Sequence, residues 1–553
     1  MNTRHERPPV DTPSVPNPNS VTDKPSFRWG WGLLIVLLLT AAVRWHRLEL
    51  PLERDEGEYA YAGQLMLEGM PPYVGAYNMK LPGIYLAYTA ILGMFGQSVW
   101  AIHFGLLLIN LASICLVYLI GRKLIDDRGG LFSAATFAVL SAHASVTGLF
   151  ANSEHFVVLP MLGGVLCLLK AIESDRLWLW GAAGVLMGTA FVMKQHGVMF
   201  VGFGAAVVVY QSWQGGAVDW RILAKRLACY GMGAVLPFAS ICVWMLATGV
   251  FPKFWFWTFT YASHYVSQVT LTEGVALLQY QLVKMSGELT GLWLLAAMGV
   301  VAVCVDQELR KRAGFWLLWG LASCAAVCPG LLFRNHYFLF VLPVASLLVG
   351  AAVVSLTRRR AGSPRVKTRV LLLFLAAILW AIVGHWNILV KWPNETVARK
   401  IYGLNPFPES VEIGEYLKSH TAPEDTIAVI GSEPQIYFYA QRHAATSHIY
   451  TYALMEEHPF ALDMQREMRK QIEDAKPKYV VFVNVRTSWL TRPGSHRELL
   501  DWAPTFTASH YEQVGLIEID LTGSKIRWNE AVKDLPLPDQ ESTWLSVYRR
   551  KNG

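Results

Sequence analysis

Residues 54–58 read Arg-Asp-Glu-Gly-Glu and place four charges within five positions, with apolar sequence on both sides. A carboxylate at the centre of a bilayer costs about 2.5–3.5 kcal/mol on insertion scales, and charged groups among apolar segments usually line a site or a water-filled cavity. The pentapeptide lies in the loop that follows the first long apolar stretch. We therefore expect it to lie at a membrane surface and to mark a functional site.

The composition of the chain is typical of a membrane protein. Of its 553 residues, 53% are hydrophobic and only 16% are charged, whereas an ordinary soluble domain carries about 25% charged residues. All seven cysteines lie in or beside apolar segments, which implies neither a disulfide framework nor a metal-binding cysteine pair. The formal net charge of +7 is better explained by membrane topology than by nucleic acid, which is not an expected partner.

Apolar stretches predict eleven membrane-spanning helices, because a span needs about 20 mostly apolar residues. They are 29–46, 99–121, 130–149, 155–172, 177–193, 196–212, 227–249, 288–305, 314–332, 336–356 and 369–389. Residues 81–97 are also apolar but contain Pro82 and several glycines, so we expect a helix that lies in the membrane interface. The predicted fold is a polytopic α-helical membrane bundle with interfacial helices in the first outer loop.

The distribution of basic residues predicts the orientation of this bundle. With the N-terminus inside, the inner loops carry 20 Lys and Arg and the short outer loops carry 8, as the positive-inside rule requires. Residues 1–28, rich in Pro, Ser, Thr and Asn, are predicted to be a disordered cytoplasmic tail. Residues 29–390 would form the membrane domain of a multi-pass protein of the cell (inner) membrane, with everything after it outside the cytoplasm.

Residues 391–553 change in character and predict an extracytoplasmic α/β domain. Their apolar runs are short and strand-like, at Thr426 to Ile430, Tyr479 to Val483 and Leu516 to Ile519. An amphipathic helical stretch over 458–475 separates the first two runs. The order strand, helix, strand is typical of a small α/β domain.

Polar residues at the ends of the predicted spans share the outer side. The candidates are Asp55, Glu56, Tyr59, Lys80, Glu154, His155, Lys194, His196, Arg334 and His336. Each alone is more often a helix cap or an interface anchor. Their collective placement indicates a site where carboxylates and cations converge. Because neighbouring side chains on a helix diverge, we expect Asp55 and Glu56 to divide their roles, with one facing a substrate. Residues 58–69 predict a surface helix, with apolar and polar side chains on different faces.

Five segments carry a family resemblance. They are RDEGEYAYAGQLMLEG (54–69), MKLPGIYLAYTAILGMFG (79–96), ANSEHF (151–156), KQHG (194–197) and RNHYFLFVLP (334–343). In order and spacing they resemble the landmarks of C-type (GT-C) membrane glycosyltransferases, above all the protein O-mannosyltransferases and the bacterial aminoarabinose transferases that modify lipid A. The resemblance covers residues 30–360 and indicates the class of enzyme, not its substrate.

The resemblance implies an enzyme that moves a hexosyl or pentosyl group from a polyprenyl-phosphate donor to a glycan, lipid or protein acceptor on the outer membrane face, with inversion. It implies that Asp55 is the general base, that Glu56 supports it and that Glu154 is the second acid of the family. Lys80, with Lys194 and Arg334, would bind the donor phosphate. No cofactor is certain from these residues; a divalent metal stays open, since no ligand set is complete.

Two other functions compete with the enzyme: a transporter or flippase of lipid-linked glycans, and a non-catalytic envelope assembly protein. A transporter should place ionisable residues or broken helices near the middle of its spans. The predicted spans of this chain are nearly free of charge, and its acids cluster at one end. The pattern therefore favours the enzyme.

Overall fold

The computed structural model describes residues 27–214, 218–359, 363–533 and 535–551. The predicted tail lies outside these ranges, apart from residues 27 and 28 at its end. The first two thirds of the chain are helical, and the strands all lie in the last third.

A helix occupies each of the eleven stretches that the sequence predicts as spans. These helices are Phe27–Trp45, Val99–Leu124, Asp127–Leu140, Ser153–Ser174, Leu177–Met193, Val198–Trp213, Trp220–Ala247, Thr290–Val305, Ala313–Val327, Leu342–Arg359 and Pro364–Gly384. Their apolar side chains pack into a core that runs through the bundle. Hydrophobic stretches thus locate the helices, although several begin or end a few residues away from the predicted limits.

Five helical segments in the described chain are long and apolar enough to cross a membrane: Val99–Leu124, Ser153–Ser174, Trp220–Ala247, Leu271–Val305 and Pro364–Gly384. Five further apolar helices are shorter, among them Pro82–Phe95, the predicted interfacial helix. The structure therefore supports a multi-pass arrangement. The count of eleven crossings stays a prediction, because several helices of the bundle are shorter than the bilayer is thick.

The first loop and the loop between Trp220–Ala247 and Thr290–Val305 are themselves helical. The first loop contains Arg54–Leu67 and Pro82–Phe95, and the second contains Phe251–Trp255, a π-helix Phe256–Tyr261, Ala262–Val266 and Leu271–Ser286. Helix Arg54–Leu67 begins with a capping box, in which the side chain of Glu53 accepts from the Glu56 amide and the side chain of Glu56 accepts from the Glu53 amide. Two backbone donors at the helix start are satisfied in this way.

The last third of the chain forms the predicted α/β unit around one mixed sheet. Its helices are Asn394–Tyr402, Phe407–His420, Gln435–Ala440, Tyr452–Met455, Ala461–Ala475, Arg486–Trp489 and Glu498–His510. Its strands are β1 (Ile427–Ile430), β2 (Tyr479–Asn484), β3 (Tyr511–Ile519), β4 (Ser524–Trp528) and β5 (Thr543–Arg550), in the order β1-β2-β5-β3-β4. Only the β1–β2 pair is parallel, as expected for strands joined through a helical crossover.

The sheet domain packs directly onto the first loop, and the two share one hydrophobic core. Helix Arg54–Leu67 is largely buried against helix Gln435–Ala440, although its sequence predicts a surface helix from Glu58 onward. Gly57 makes this contact possible, because a Cβ there would lie 2.6 Å from the backbone nitrogen of Gln435. The surface-helix prediction is wrong because the covering partner lies almost four hundred residues away in the sequence.

Candidate active site

A cavity of ≈ 500 Å³ opens where the first loop, the segment around residue 334 and the sheet domain meet. Six of the residues that the sequence analysis selects line it: Asp55, Lys80, Lys194, His196, Arg334 and His336. The remaining four, Glu56, Tyr59, Glu154 and His155, are buried beside it. Residues from four separate parts of the sequence thus converge on one pocket.

Asp55 lies in the first turn of helix Arg54–Leu67 and presents its carboxylate to the cavity. Its Oδ2 lies 3.3 Å from Lys80 Nζ, and its Oδ1 accepts a hydrogen bond of 2.9 Å from the Tyr450 hydroxyl. Burial alone would raise the pKa of Asp55. The positive charge of Lys80, with that of Lys194 farther away, outweighs burial, so the pKa of Asp55 lies below its usual value and the group is ionised at neutral pH.

Glu56 points away from the cavity into the protein. One carboxylate oxygen accepts from the backbone amide of Ala151 and lies 3.0 Å from His103 Nε2, and the other accepts from the Glu53 amide at 3.0 Å. Glu56 therefore caps its own helix and ties it to the segment before helix Ser153–Ser174. The two adjacent side chains point in different directions, as the helix geometry predicts.

Glu154 forms a buried ion pair with Lys194 behind the cavity wall. Its Oε1 also lies 3.9 Å from His336 Nε2. Lys194 Nζ lies 4.6 Å from the centre of the Tyr337 ring, where a cation interacts favourably with the aromatic face. Glu154 thus positions two of the basic groups that face the cavity, although the acid itself does not line it.

The other candidates differ in their exposure to the cavity and in their contacts. Arg334 is exposed to the cavity. His196 is buried, and its Nδ1 lies 2.7 Å from the carbonyl oxygen of Ala326. Tyr59 packs behind Lys80, whose Nζ lies 5.6 Å from the centre of the tyrosine ring. His155 is buried and does not line the cavity.

The sheet domain supplies cavity residues that the sequence analysis does not identify. They include Asn405, Tyr450, Tyr452 and Thr487, and Tyr265 adds a further aromatic side chain from the second loop. Tyr450 follows Asp55 by 395 residues. No local motif connects such positions, so only the folded chain brings them together.

Arg54 joins the first loop to the sheet domain at the edge of the cavity. Its guanidinium forms a buried ion pair with Glu433 and donates 2.9 Å to the Tyr452 hydroxyl and 3.1 Å to Asn405 Oδ1. Arginine suits this position because its planar fork binds several acceptors at once. The first residue of the Arg-Asp-Glu-Gly-Glu stretch therefore lines the cavity and also ties the first loop to the sheet domain.

Comparison with known sequences connects this architecture to one class of enzyme. The family described as dolichyl-phosphate-mannose-protein mannosyltransferase matches residues 80–244. An undecaprenyl phosphate-alpha-4-amino-4-deoxy-L-arabinose arabinosyl transferase 2 of Pseudomonas fluorescens strain Pf0-1 is 26% identical over 249 residues, which are 42% of this chain and 43% of the relative. The chain thus matches less than half the length of this curated relative.

Solved structures extend the likeness of fold to almost the whole chain. ArnT from Cupriavidus metallidurans, solved with undecaprenyl phosphate, has a TM-score of 0.59 at 16% identity and covers 92% of this chain and 99% of its own. The oligosaccharyltransferase AglB from Archaeoglobus fulgidus has a TM-score of 0.53 at 14% identity, with 95% and 76% covered. The chain therefore shares its fold with ArnT and AglB, and the matches in sequence agree with the resemblance to the C-type (GT-C) membrane glycosyltransferases.

Proposed function

We propose that this protein transfers a sugar from a polyprenyl-phosphate donor to an acceptor at the outer face of the membrane, with inversion. The observation that carries the proposal is the pairing of an ionised acid with cations in one cavity: Asp55 lies 3.3 Å from Lys80, and Lys194 and Arg334 line the same space. The curated relative carries undecaprenyl phosphate in its name, and the ArnT structure was solved with that lipid.

Asp55 is the general base of the proposed reaction. Direct displacement needs a carboxylate that accepts the proton of the acceptor hydroxyl as the new glycosidic bond forms. Among the acids of residues 54–58, Asp55 is the one that faces the cavity, and its lowered pKa keeps it ionised. Glu56 supports Asp55 by fixing the start of the helix that carries it.

Lys80, Lys194 and Arg334 bind the donor phosphate and stabilise its departure. The bond between the anomeric carbon and the phosphate oxygen breaks, and negative charge develops on the leaving polyprenyl phosphate. Cations placed at that oxygen lower the barrier without a general acid. Lys194 is held by Glu154 in a shorter and more deeply buried pair than the one between Lys80 and Asp55. Arg334 is exposed to the cavity, so Arg334 and Lys80 are the proposed principal phosphate ligands.

A site at the membrane surface suits this donor, because the polyprenyl tail stays in lipid while its phosphate reaches the cavity. The positive-inside distribution of Lys and Arg supports a cavity outside the cytoplasm, with the N-terminus inside. In this orientation the sheet domain lies on the same side and covers the site. Cysteines introduced at residues 78 and 441 should react with a membrane-impermeant thiol reagent in intact right-side-out vesicles. They should stay unlabelled in intact inverted vesicles.

The proposal is tested by turnover of purified protein in lipid nanodiscs. A panel of labelled polyprenyl-phosphate sugars is supplied, and the release of polyprenyl phosphate is measured for the wild-type chain and for Asp55→Asn. General-base catalysis contributes about 10²–10⁴-fold, so the variant should lose that factor while it still binds the donor. Asp463→Asn, at an exposed helix position of the sheet domain, is the matched control and should keep full activity.

Equal turnover in wild type and Asp55→Asn, with any donor that the wild type consumes, would exclude Asp55 as the base. Passage of an intact labelled lipid across vesicle membranes, without release of polyprenyl phosphate, would instead support a flippase.

A further inference from the structure

Arg334 differs from the two lysines of the cavity in how its charge is held. Lys80 pairs with Asp55, and Lys194 pairs with Glu154. The Arg334 side chain lines the cavity, and among the described residues it has neither an ion-pair partner nor a side-chain hydrogen bond. Its position therefore depends on packing and on the backbone that carries it.

The backbone before Arg334 adopts an unusual conformation. Gly330, Leu331 and Phe333 have φ angles of 74°, 53° and 42°. Only glycine enters this left-handed region freely, because a Cβ there lies too close to the carbonyl oxygen that follows. For a bulky residue such as leucine or phenylalanine the conformation is an outlier. Leu331 and Phe333 are therefore strained, and both lie within three residues of Arg334.

Packing against the second loop holds Leu331 in this conformation. Helix Leu271–Ser286 lies against it at Gly274, where an added Cβ would lie 2.8 Å from the Cβ of Leu331 and 3.4 Å from its carbonyl oxygen. The Leu331 amide also donates to the Cys328 carbonyl oxygen at 2.9 Å. A strained conformation persists only where its surroundings fix it, and Gly274 allows the close approach that fixes this one.

The chain is also fixed on either side of the Arg334 side chain. Phe333 is buried in the core of the bundle. The Arg334 carbonyl oxygen accepts a hydrogen bond of 3.0 Å from the Tyr337 amide at the start of a short 3₁₀ helix, Asn335–Phe340, whose last four residues are buried. Arg334 thus lies between two anchored segments and lines the cavity from there.

We propose that the left-handed conformation of residues 330–333 positions Arg334 for the donor phosphate. Leu331 and Gly274 are then positioning residues, a role that rests on the proposed binding of the donor phosphate by Arg334. Strain held by packing is typical of sites where a group must be preorganised. An arginine without an acidic partner stays available to an anion, and its planar fork needs a defined orientation to bind a phosphate through two bonds.

The test compares two substitutions of Leu331 with opposite properties. Leu331→Gly removes the side chain but adopts the left-handed conformation freely. Leu331→Val keeps apolar bulk, but a β-branched residue is strongly disfavoured in that conformation. The affinity for radiolabelled undecaprenyl phosphate is measured for each purified full-length variant in lipid nanodiscs, so that the readout does not depend on turnover. Melting temperatures show which variants are folded.

The two variants should differ in affinity. Leu331→Val should bind undecaprenyl phosphate about tenfold more weakly than wild type, because its backbone leaves the left-handed region. Leu331→Gly should stay within about threefold of wild type. A leucine that acted through packing alone would give the reverse order.

A double variant shows whether Leu331 acts through Arg334. Arg334→Met should weaken binding about tenfold or more, since a charged hydrogen-bond donor to the phosphate is lost. Leu331→Val should add little to that loss, because the guanidinium that it would displace is already absent. An equal further loss in the double variant would overturn the proposal.

Gly274→Ala tests the same contact from the second loop and leaves the segment before Arg334 unchanged in sequence. Its methyl group would push against Leu331 and should weaken binding, although alanine favours the helix. Gly320→Ala is the matched control, since a Cβ at that helix position meets nothing within 4 Å. It should leave the affinity unchanged.

Wild-type affinity in folded Leu331→Val, or weaker binding by Leu331→Gly than by Leu331→Val, would overturn the proposal. The phosphate assignment would survive either result as long as Arg334→Met binds poorly. Wild-type affinity in Arg334→Met would remove that assignment and the positioning roles together. If Leu331→Val does not fold, Gly274→Ala decides, and an affinity equal to that of Gly320→Ala would overturn the proposal.

Discussion

The carboxylate of Asp55 and the ammonium of Lys80 lie 3.3 Å apart at the wall of the cavity, with side chains only 18% and 13% exposed. Partial burial makes such a pair stronger than one on an open surface. It also links the two proposed roles. A donor phosphate that binds Lys80 would replace Asp55 as its partner, and the base would gain proton affinity at the moment when the donor is in place.

Tyr450→Phe should alter the pH dependence of turnover. The tyrosine hydroxyl donates to Asp55 at 2.9 Å and favours the ionised carboxylate, so its removal should raise the pKa of Asp55. The acidic limb of the kcat profile should move to higher pH. Tyr452→Phe is the matched control, since that hydroxyl bonds Arg54 and the Thr487 carbonyl oxygen instead. Identical profiles for wild type and Tyr450→Phe would contradict the assignment.

Glu58 should make the protein less stable as the pH rises. Burial raises its pKa to about 8, although Lys80 and hydrogen bonds from Tyr85 and Asn78 oppose the shift. A raised pKa in the folded state means that the stabilisation is complete below the unfolded value of about 4.3 and is lost as the pH rises through 8.

Glu58→Gln mimics the protonated acid and should abolish this loss. Melting temperatures measured from pH 5 to pH 9 should therefore fall more steeply for wild type than for Glu58→Gln, which should be the more stable protein at pH 9. Parallel curves for the two proteins would show that Glu58 is ionised throughout the range.

Arg54→Met should destabilise the contact between the first loop and the sheet domain. Removing one partner of a buried ion pair costs about 3–5 kcal/mol, because the other charge stays buried without compensation. The Arg54 and Glu433 side chains are 8% and 0% exposed. Chemical unfolding of Arg54→Met, Glu433→Gln and the double variant should show strong coupling, with the double variant less destabilised than the sum of the singles. Additive losses would rule the coupling out.

Gly57→Ala should disturb the same contact by steric overlap. The new methyl group would lie 2.6 Å from the Gln435 backbone nitrogen, and overpacking of this kind costs about 1–3 kcal/mol. Gly202→Ala is the control, since a Cβ at this exposed helix position meets nothing within 4 Å and alanine favours helix. The melting temperature should fall for Gly57→Ala only.

Local sequence predicts the helices of this protein well and their neighbours poorly. Runs of about 20 apolar residues are enough to locate Val99–Leu124 or Ser153–Ser174, because burial of apolar surface decides their structure. Local sequence also predicts that the helix after Glu58 lies on the protein surface, because it contains both polar and apolar side chains. In the structure this helix is buried by helix Gln435–Ala440. No local sequence pattern predicts a contact between segments so far apart in the chain.

The candidate site also contains residues that the sequence predicts and residues that it does not. Asp55, Lys80 and Arg334 were identifiable because charges at the ends of apolar segments are costly and therefore informative. Tyr450 was not, since a tyrosine in a soluble-looking region has many ordinary roles. The contrasting directions of Asp55 and Glu56 follow from helix geometry, but the structure was needed to show which of them faces the cavity.

The hydrogen bond between Tyr450 and Asp55 also has a consequence for biosynthesis. During translation the tyrosine leaves the ribosome 395 residues after the acid. A chain still being translated therefore holds an open, half-built pocket. The proposed sugar transfer needs the pocket that Tyr450 helps to form, so a chain released before this residue is made should be an inert membrane fragment.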